Sequence, residues 1–208
     1  MGYGEFLDFN MMENELNKYK VRISKMKFQF LFLIIIMLFL SSGCYGDITG
    51  TVVDVETGKP VEGAVVLVEW TMTKGLGLTY TKSYKVVEAL SDKEGKFSVE
   101  GVSNPLVNPP DLTIYKKGYV VWNNLKIFPD YKKREDFKWQ SGYVFKLERF
   151  KPEYSYIEHQ MFITGAINST IGWEKKKVFL KAYYEAEEGN VIRERSERDK
   201  KRKGGITQ

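Results

Sequence analysis

The sequence predicts a mainly β fold: an antiparallel sandwich of about seven short strands, with an apolar N-terminal segment before it and a small helical segment after it. Three observations carry this. Between Asp47 and Glu148, short runs rich in Val, Ile, Thr, Tyr and Phe alternate with clusters of turn-forming residues. After Lys151-Pro152 the apolar residues change to a spacing near 3.6. Ahead of both lies a nearly unbroken apolar run, Phe28 to Leu40, interrupted only by Gln29.

The apolar run explains the first 43 residues. Lys25 and Lys27 precede it, Ser41-Ser42-Gly43 follow it, and then comes the only cysteine, Cys44. A basic start, an apolar stretch of roughly 7–15 residues and a small-residue cleavage site are the order of a secretory signal. With cysteine at the junction, the segment resembles the signal peptide of bacterial lipoproteins. That resemblance implies cleavage before Cys44 and acylation of Cys44, so that membrane lipid is the first expected partner. It departs from the commonest pattern at Ser41, where Leu is usual. Two alternatives stay open. The run of thirteen residues is short for a spanning helix, which needs about 20, and it lacks the polar face of a core helix. Tyr45, rather than Asp, after the cysteine points to the outer membrane if the organism has two. Residues 1–25 would be a long leader containing four acids, so translation is expected to start at Met26, with an upstream extension before it. The expected division is thus 1–43 for extension and signal, 44–149 for the sandwich and 150–208 for a helical appendage with a charged tail.

Composition supports a folded domain after the signal. Hydrophobic residues make 43% and aromatics 14% of the chain, enough for a packed core and unlike a disordered sequence. Five of the 32 basic and four of the 27 acidic residues fall in residues 1–43, which leaves an excess of four positive charges. That is far from a nucleic-acid-binding signature, and no nucleic-acid partner is expected. With Cys44 acylated no thiol remains, so a hydrophobic core must hold the domain without disulfides.

The strands follow in order. Residues 48–53 form the first. Glu56-Thr57-Gly58-Lys59-Pro60 is a turn with Gly58 free to take positive φ. Residues 64–70 form the second, whose continuous Val65-Val66-Leu67-Val68 fits a strand buried on both faces. A glycine-containing loop, 71–78, leads to a third strand over 79–89, with Tyr80, Tyr84 and Val86 in step. Ser91-Asp92-Lys93-Glu94-Gly95 is a tight turn into residues 96–99, with Phe97 pointing inward. Residues 112–116, 119–125 and 143–147 complete the set. The proline-rich 104–111 is a stiff loop at one end of the sandwich, where binding function usually sits.

Four of these blocks, in this order, resemble the carboxypeptidase regulatory-like domain. They are Gly50-Thr51-Val52-Val53-Asp54, then Thr57-Gly58-Lys59-Pro60 with Gly63-Ala64-Val65-Val66, then Ser91-Asp92-Lys93-Glu94-Gly95-Lys96-Phe97, and Lys117-Gly118-Tyr119. The resemblance covers residues 47–121. It implies a transthyretin-like, Ig-like sandwich used as an accessory module without catalysis. Each block also has a local structural cause, and these residues are read as fold determinants.

The remainder is polar or helical. Residues 131–140 mix Lys132, Lys133, Arg134 and Lys138 with Tyr131, Phe137 and Trp139. Such a mixture can bind sugars or nucleic acid, but aromatics capping the sandwich is the preferred reading. Tyr156, Ile157, Gln160, Met161, Ile163, Thr164 and Ile167 approximate one helical stripe. A second helix over 173–188 uses Val178, Phe179, Ala182 and Tyr183 as its apolar face, and Gly189-Asn190 should end it. The charged run 193–203 is expected to be a frayed helix or a disordered end.

Candidate catalytic residues are few. His159 is the only histidine, whereas common zinc sites need several His or Cys ligands. No nucleophile elbow accompanies it, and Lys74-Gly75-Leu76-Gly77 lacks the Gly-Lys of a phosphate-binding loop. His159 is therefore expected on a helix, without a catalytic role. No catalytic residue, metal or cofactor is expected. The reading is a non-catalytic, lipid-anchored envelope protein that binds or scaffolds, with an envelope protein or a glycan as partner. A hydrolase using carboxylates in an end-loop cleft and a structural subunit of an envelope secretion or transport assembly are the alternatives.

Overall fold

The computed structural model describes residues 18, 20, 22–33, 46–167 and 173–204. Residues 22–33 are helical and exposed throughout. They belong to the first of two compact units, Met1–Gly43, and Cys44–Gln208 is the second. Among the described residues no helix is long and apolar enough to cross a membrane.

The second unit is a mainly β sandwich. One sheet has the order β4-β1-β9, built from β1 (Ile48–Asp54), β4 (Lys96–Val99) and β9 (Tyr143–Leu147). The other has the order β3-β2-β5-β6, from β2 (Val65–Lys74), β3 (Tyr80–Leu90), β5 (Asp111–Tyr115) and β6 (Trp122–Asn123). Pairing is antiparallel except between β1 and β9, where Val52 stands opposite Phe145 in a parallel ladder. A small hairpin, β7 (Lys126–Ile127) and β8 (Lys132–Lys133), lies beyond β6.

The inner faces meet in one apolar core. Val52, Phe97, Val99, Phe145 and Leu147 come from the first sheet, and Val66, Val68, Trp70, Leu112, Ile114 and Trp122 from the second. Gly50 is glycine because a Cβ there would collide with the Phe145 ring. Gly95 takes the left-handed conformation, φ 74°, while Asp92 Oδ1 accepts from Glu94 N at 3.0 Å and Lys96 N at 2.7 Å. Phe97 is then delivered inward, 6% exposed.

A third layer covers the outer face of the larger sheet. Helices α1 (Tyr156–Ile167) and α2 (Lys177–Gly204) pack Phe162, Ile163, Ile167, Phe179 and Tyr183 against Val65, Leu67 and Tyr115. This is why β2 is apolar without alternation: Val66 and Val68 face the other sheet, and Val65 and Leu67 face the helices. Carboxylates from other elements cap both helices. Glu88 of β3 accepts from Val178 N at 3.0 Å and Phe179 N at 2.7 Å. Glu194 of α2 accepts from Tyr156 N at 2.8 Å and Ser155 Oγ at 2.7 Å.

Four expectations need correction. Gly189-Asn190 does not end the second helix, and the charged run after it is not a disordered end. α2 continues to Gly204; the Tyr115 OH donating to Glu187 at 2.9 Å and the burial of Val191 carry it past Gly189-Asn190. The stripe on α1 is rotated: His159, Phe162, Ile163 and Ile167 are buried, and Met161 is exposed. The strand expected over 119–125 shrinks to Trp122–Asn123, since Tyr119 bridges to Arg149 instead. The β7–β8 hairpin, closed by Asp130 and Tyr131 after a cis Phe128-Pro129 bond, had no expected counterpart.

Candidate functional site

The turn after β1 is organised by Asp54. Its Oδ1 accepts from Thr57 N at 2.8 Å, Glu56 N at 3.0 Å and Thr57 Oγ1 at 3.0 Å. Its Oδ2 accepts from Tyr119 OH at 3.0 Å and pairs with Arg149 Nε at 2.8 Å. The Thr57 N–H and these other donors hold the carboxyl at about 2. This hub fixes one wall of a cleft.

The cleft, about 500 Å³, opens between β9 and β6, the edge strands of the two sheets. Over Tyr143–Leu147, β9 pairs only with β1 among the described residues. The floor is aromatic and apolar, from Trp122, Ile127 and Phe128. Arg134 forms a side wall, its guanidinium 4.5 Å from the Trp122 ring centroid and its Nε donating to Asn123 O at 2.7 Å. The rim carries both signs: Glu56, Asp136 and Glu148 against Lys146 and Lys151. Of the basic-aromatic segment, Phe137 caps the core edge-on to Trp122 and Tyr143, as the capping reading expects, whereas Arg134 and Asp136 line the cleft. Sequence reasoning did not find this site, because its residues come from four separate parts of the chain.

A second, smaller cleft of about 290 Å³ lies on the helical side of the larger sheet. Glu69 of β2 and Asp111 of β5 are register partners there. Lys176 Nζ is buried, 2.8 Å from Glu69 Oε2, and donates to Ile167 O at 2.6 Å. Burial, and then the Glu69 charge, push the Asp111 carboxyl up to about 6. Thr71, Ser83 and Asn123 complete the polar lining.

His159 is on α1 as expected, but it is 1% exposed. Its Nε2 accepts from Val121 N at 3.0 Å, so the ring is neutral with its proton on Nδ1, which has no hydrogen-bond partner among the described residues. The rings of Phe128 and Phe150 flank it. Burial lowers its pKa to about 4. Cys44, the expected lipidation site, lies outside the described residues. No group of three or more His, Cys, Asp or Glu able to hold a metal ion occurs among the described residues.

No family model and no curated protein sequence matches the chain. Among solved structures it is similar to a Streptococcal ancillary pilin, with 21% identity and a TM-score of 0.30. That match covers 53% of this chain and 30% of the pilin.

Proposed function

We propose that the chain is a lipid-anchored, non-catalytic envelope protein whose carboxypeptidase regulatory-like sandwich binds an extended segment of another envelope protein in the β6–β9 cleft. The observation that carries this reading is the cleft itself, where the β9 edge, paired only with β1 among the described residues, borders an aromatic floor and a rim of both charges. Main-chain groups on a strand edge suit an added strand, and neighbouring pockets select its side chains. A two-signed rim suits a polypeptide better than a neutral glycan. The motif residues support the family reading through the jobs they do: Gly50 admits the Phe145 ring, Asp54 ties the turn, and Gly95 turns the chain into β4.

Two experiments test it. A photo-cross-linking residue in place of Lys146 should give one discrete protein adduct in cells. That adduct should vanish when Glu56→Lys and Glu148→Lys reverse the rim. Adducts with glycan alone, or an adduct indifferent to the reversal, would count against it. Fatty-acid labelling of the wild type and of Cys44→Ser tests the anchor, and equal label in both would refute it.

The raised pKa of Asp111 beside Glu69 favours one second reading, a hydrolase with these carboxylates as acid and base. Under that reading Asp111→Asn abolishes turnover of a substrate while the protein stays folded. A screen of glycoside, ester and peptide substrates in which the wild type and Asp111→Asn are equally inert would leave the binding reading alone.

A further inference from the structure

β2 and β3 outrun the rest of their sheet. β5 pairs with β2 only from Val65 to Glu69, whereas the β2–β3 ladder continues to Lys74 and Tyr80. The extension is a two-stranded ribbon whose tip is Gly75-Leu76-Gly77-Leu78. At that tip Leu76 is 104% and Leu78 93% exposed, with Tyr80 at 61% just behind. Three bulky apolar side chains held in water at the end of a projecting ribbon have no role in either core. Lys74 and Lys82 form a collar below them, and residues 74–82 contain no carboxylate.

The ribbon tip lies at a particular end of the sandwich. Asn108 N donates to Thr71 O at 2.8 Å, and Asn108 Nδ2 donates to Thr71 Oγ1 at 3.0 Å and Thr73 Oγ1 at 3.2 Å. The loop holding Asn108 runs on to Pro110, which shares a hollow with Gly46, Asp47, Ile48 and Trp139. The tip is therefore at the end where the chain enters β1, four residues after Cys44. Leu106 in the same loop is 73% exposed, and Trp139 is partly exposed with Lys138 beside it. The acids here are engaged: Asp47 Oδ1 accepts from Gly101 N at 3.0 Å, and Glu100 pairs with Lys85 at 3.0 Å.

We propose that this end of the sandwich seats on an anionic phospholipid surface, with Leu76 and Leu78 inserted among the acyl chains and Lys74 and Lys82 at the headgroups. This rests on the lipid-anchor reading, because acyl chains on Cys44 would hold the entry to β1, four residues on, within about 14 Å of the bilayer at roughly 3.3–3.6 Å per residue. Leucines below, a tyrosine at the boundary and lysines reaching back to phosphate are the side-chain order of an interfacial segment. The anchor tethers, and the ribbon adds a second contact that fixes the tilt of the domain. The β6–β9 cleft then keeps one bearing relative to the membrane.

The test uses the full chain in vesicles of phosphatidylethanolamine and phosphatidylglycerol. An environment-sensitive thiol dye is placed at Leu78→Cys, and at Glu94→Cys in the exposed turn at the opposite end as control. The dye at 78 should emit at shorter wavelength and be quenched several-fold more by acyl-brominated lipid than the dye at 94. Equal quenching at the two sites would overturn the proposal. So would a blue shift at 78 that grows with protein concentration at fixed lipid, because the tip would then be meeting a second copy of the chain. Labelling of the parent chain scores the anchor separately, since an acylated Cys44 takes no dye. If the parent is labelled, the anchor reading fails, and the same quenching comparison in a Cys44→Ser background still decides the ribbon.

Discussion

Arg149 Nε stands 2.8 Å from Asp54 Oδ2, joining the residues just beyond β9 to the end of β1. Asp54 is 1% exposed and Arg149 about half exposed, so the pair plugs the sandwich at this end while Tyr119 closes over it, 5.7 Å from the guanidinium. Asp54→Asn keeps the size but removes the charge that four backbone and hydroxyl donors and one guanidinium converge on. It should lower the melting midpoint by several degrees. In the wild type this contribution is present above the ordinary carboxylate value of 3.8 and is lost as pH falls toward about 2. Acid unfolding followed between pH 4 and 2 should therefore be shallower in Asp54→Asn, and identical slopes would show that the hub does not govern acid stability.

Leu67 sits between the helices and the larger sheet, 2% exposed. Leu67→Ala should cost about 2–5 kcal/mol, as for other buried leucines truncated without full collapse. Its site of action separates it from the sandwich core. Hydrogen exchange should show α1 and α2 losing protection first, with β1 and β9 little affected. Uniform loss across all layers would mean that the helices and sandwich open together.

The β2 strand was legible in sequence because its two-faced burial leaves a continuous apolar run. The turns were legible because Gly58, Gly95 and Asp92 each serve a local backbone need. The helical ends were not. Gly189-Asn190 is a stop signal by propensity, but Glu187 just before it is held by Tyr115 of the sheet and Val191 just after it is buried, and tertiary packing overrides it. The phase of α1 was missed because His159 and Phe162 count as buried only once Val121 and Phe128 lie beneath them. The cleft was invisible for the same reason. Glu56, Trp122, Arg134 and Lys146 are distant in sequence, and only the juxtaposition of two sheet edges brings them together.

The buried imidazole and the buried carboxyl work against each other with pH. His159 has a folded pKa of about 4 against an ordinary 6.5. Its unfolded form binds the proton first, so stability falls as pH drops from 6.5, by on the order of 3 kcal/mol once pH 4 is reached. Asp111 has a folded pKa of about 6 against 3.8. Its contribution is full below 3.8 and is lost as pH rises through 6. His159→Gln keeps an acceptor for Val121 N–H but cannot protonate, so its stability should decline on going from pH 4 to 6.5. Asp111→Asn should do the reverse and show a steeper acid-side loss than the wild type. Denaturant midpoints at four pH values suffice, and parallel profiles for the two variants would refute both assignments.

Lys176 and Glu69 pose a different question, because a buried ion pair is costly to form and costlier to break. Lys176 arrives just before α2, and its ammonium joins the β2 carboxylate to the last carbonyl of α1. One lysine thus links the sheet to both helices. Lys176→Met removes that cation from a carboxylate only 5% exposed and should destabilise by about 3–5 kcal/mol. Lys176→Met combined with Glu69→Leu replaces the pair by apolar groups, and it should recover most of the loss. The coupling between the two substitutions, read from urea unfolding of all four proteins, should exceed about 1 kcal/mol, as for residues in direct contact. Additive effects would show that Lys176 acts chiefly on the α1 carbonyl and not through Glu69.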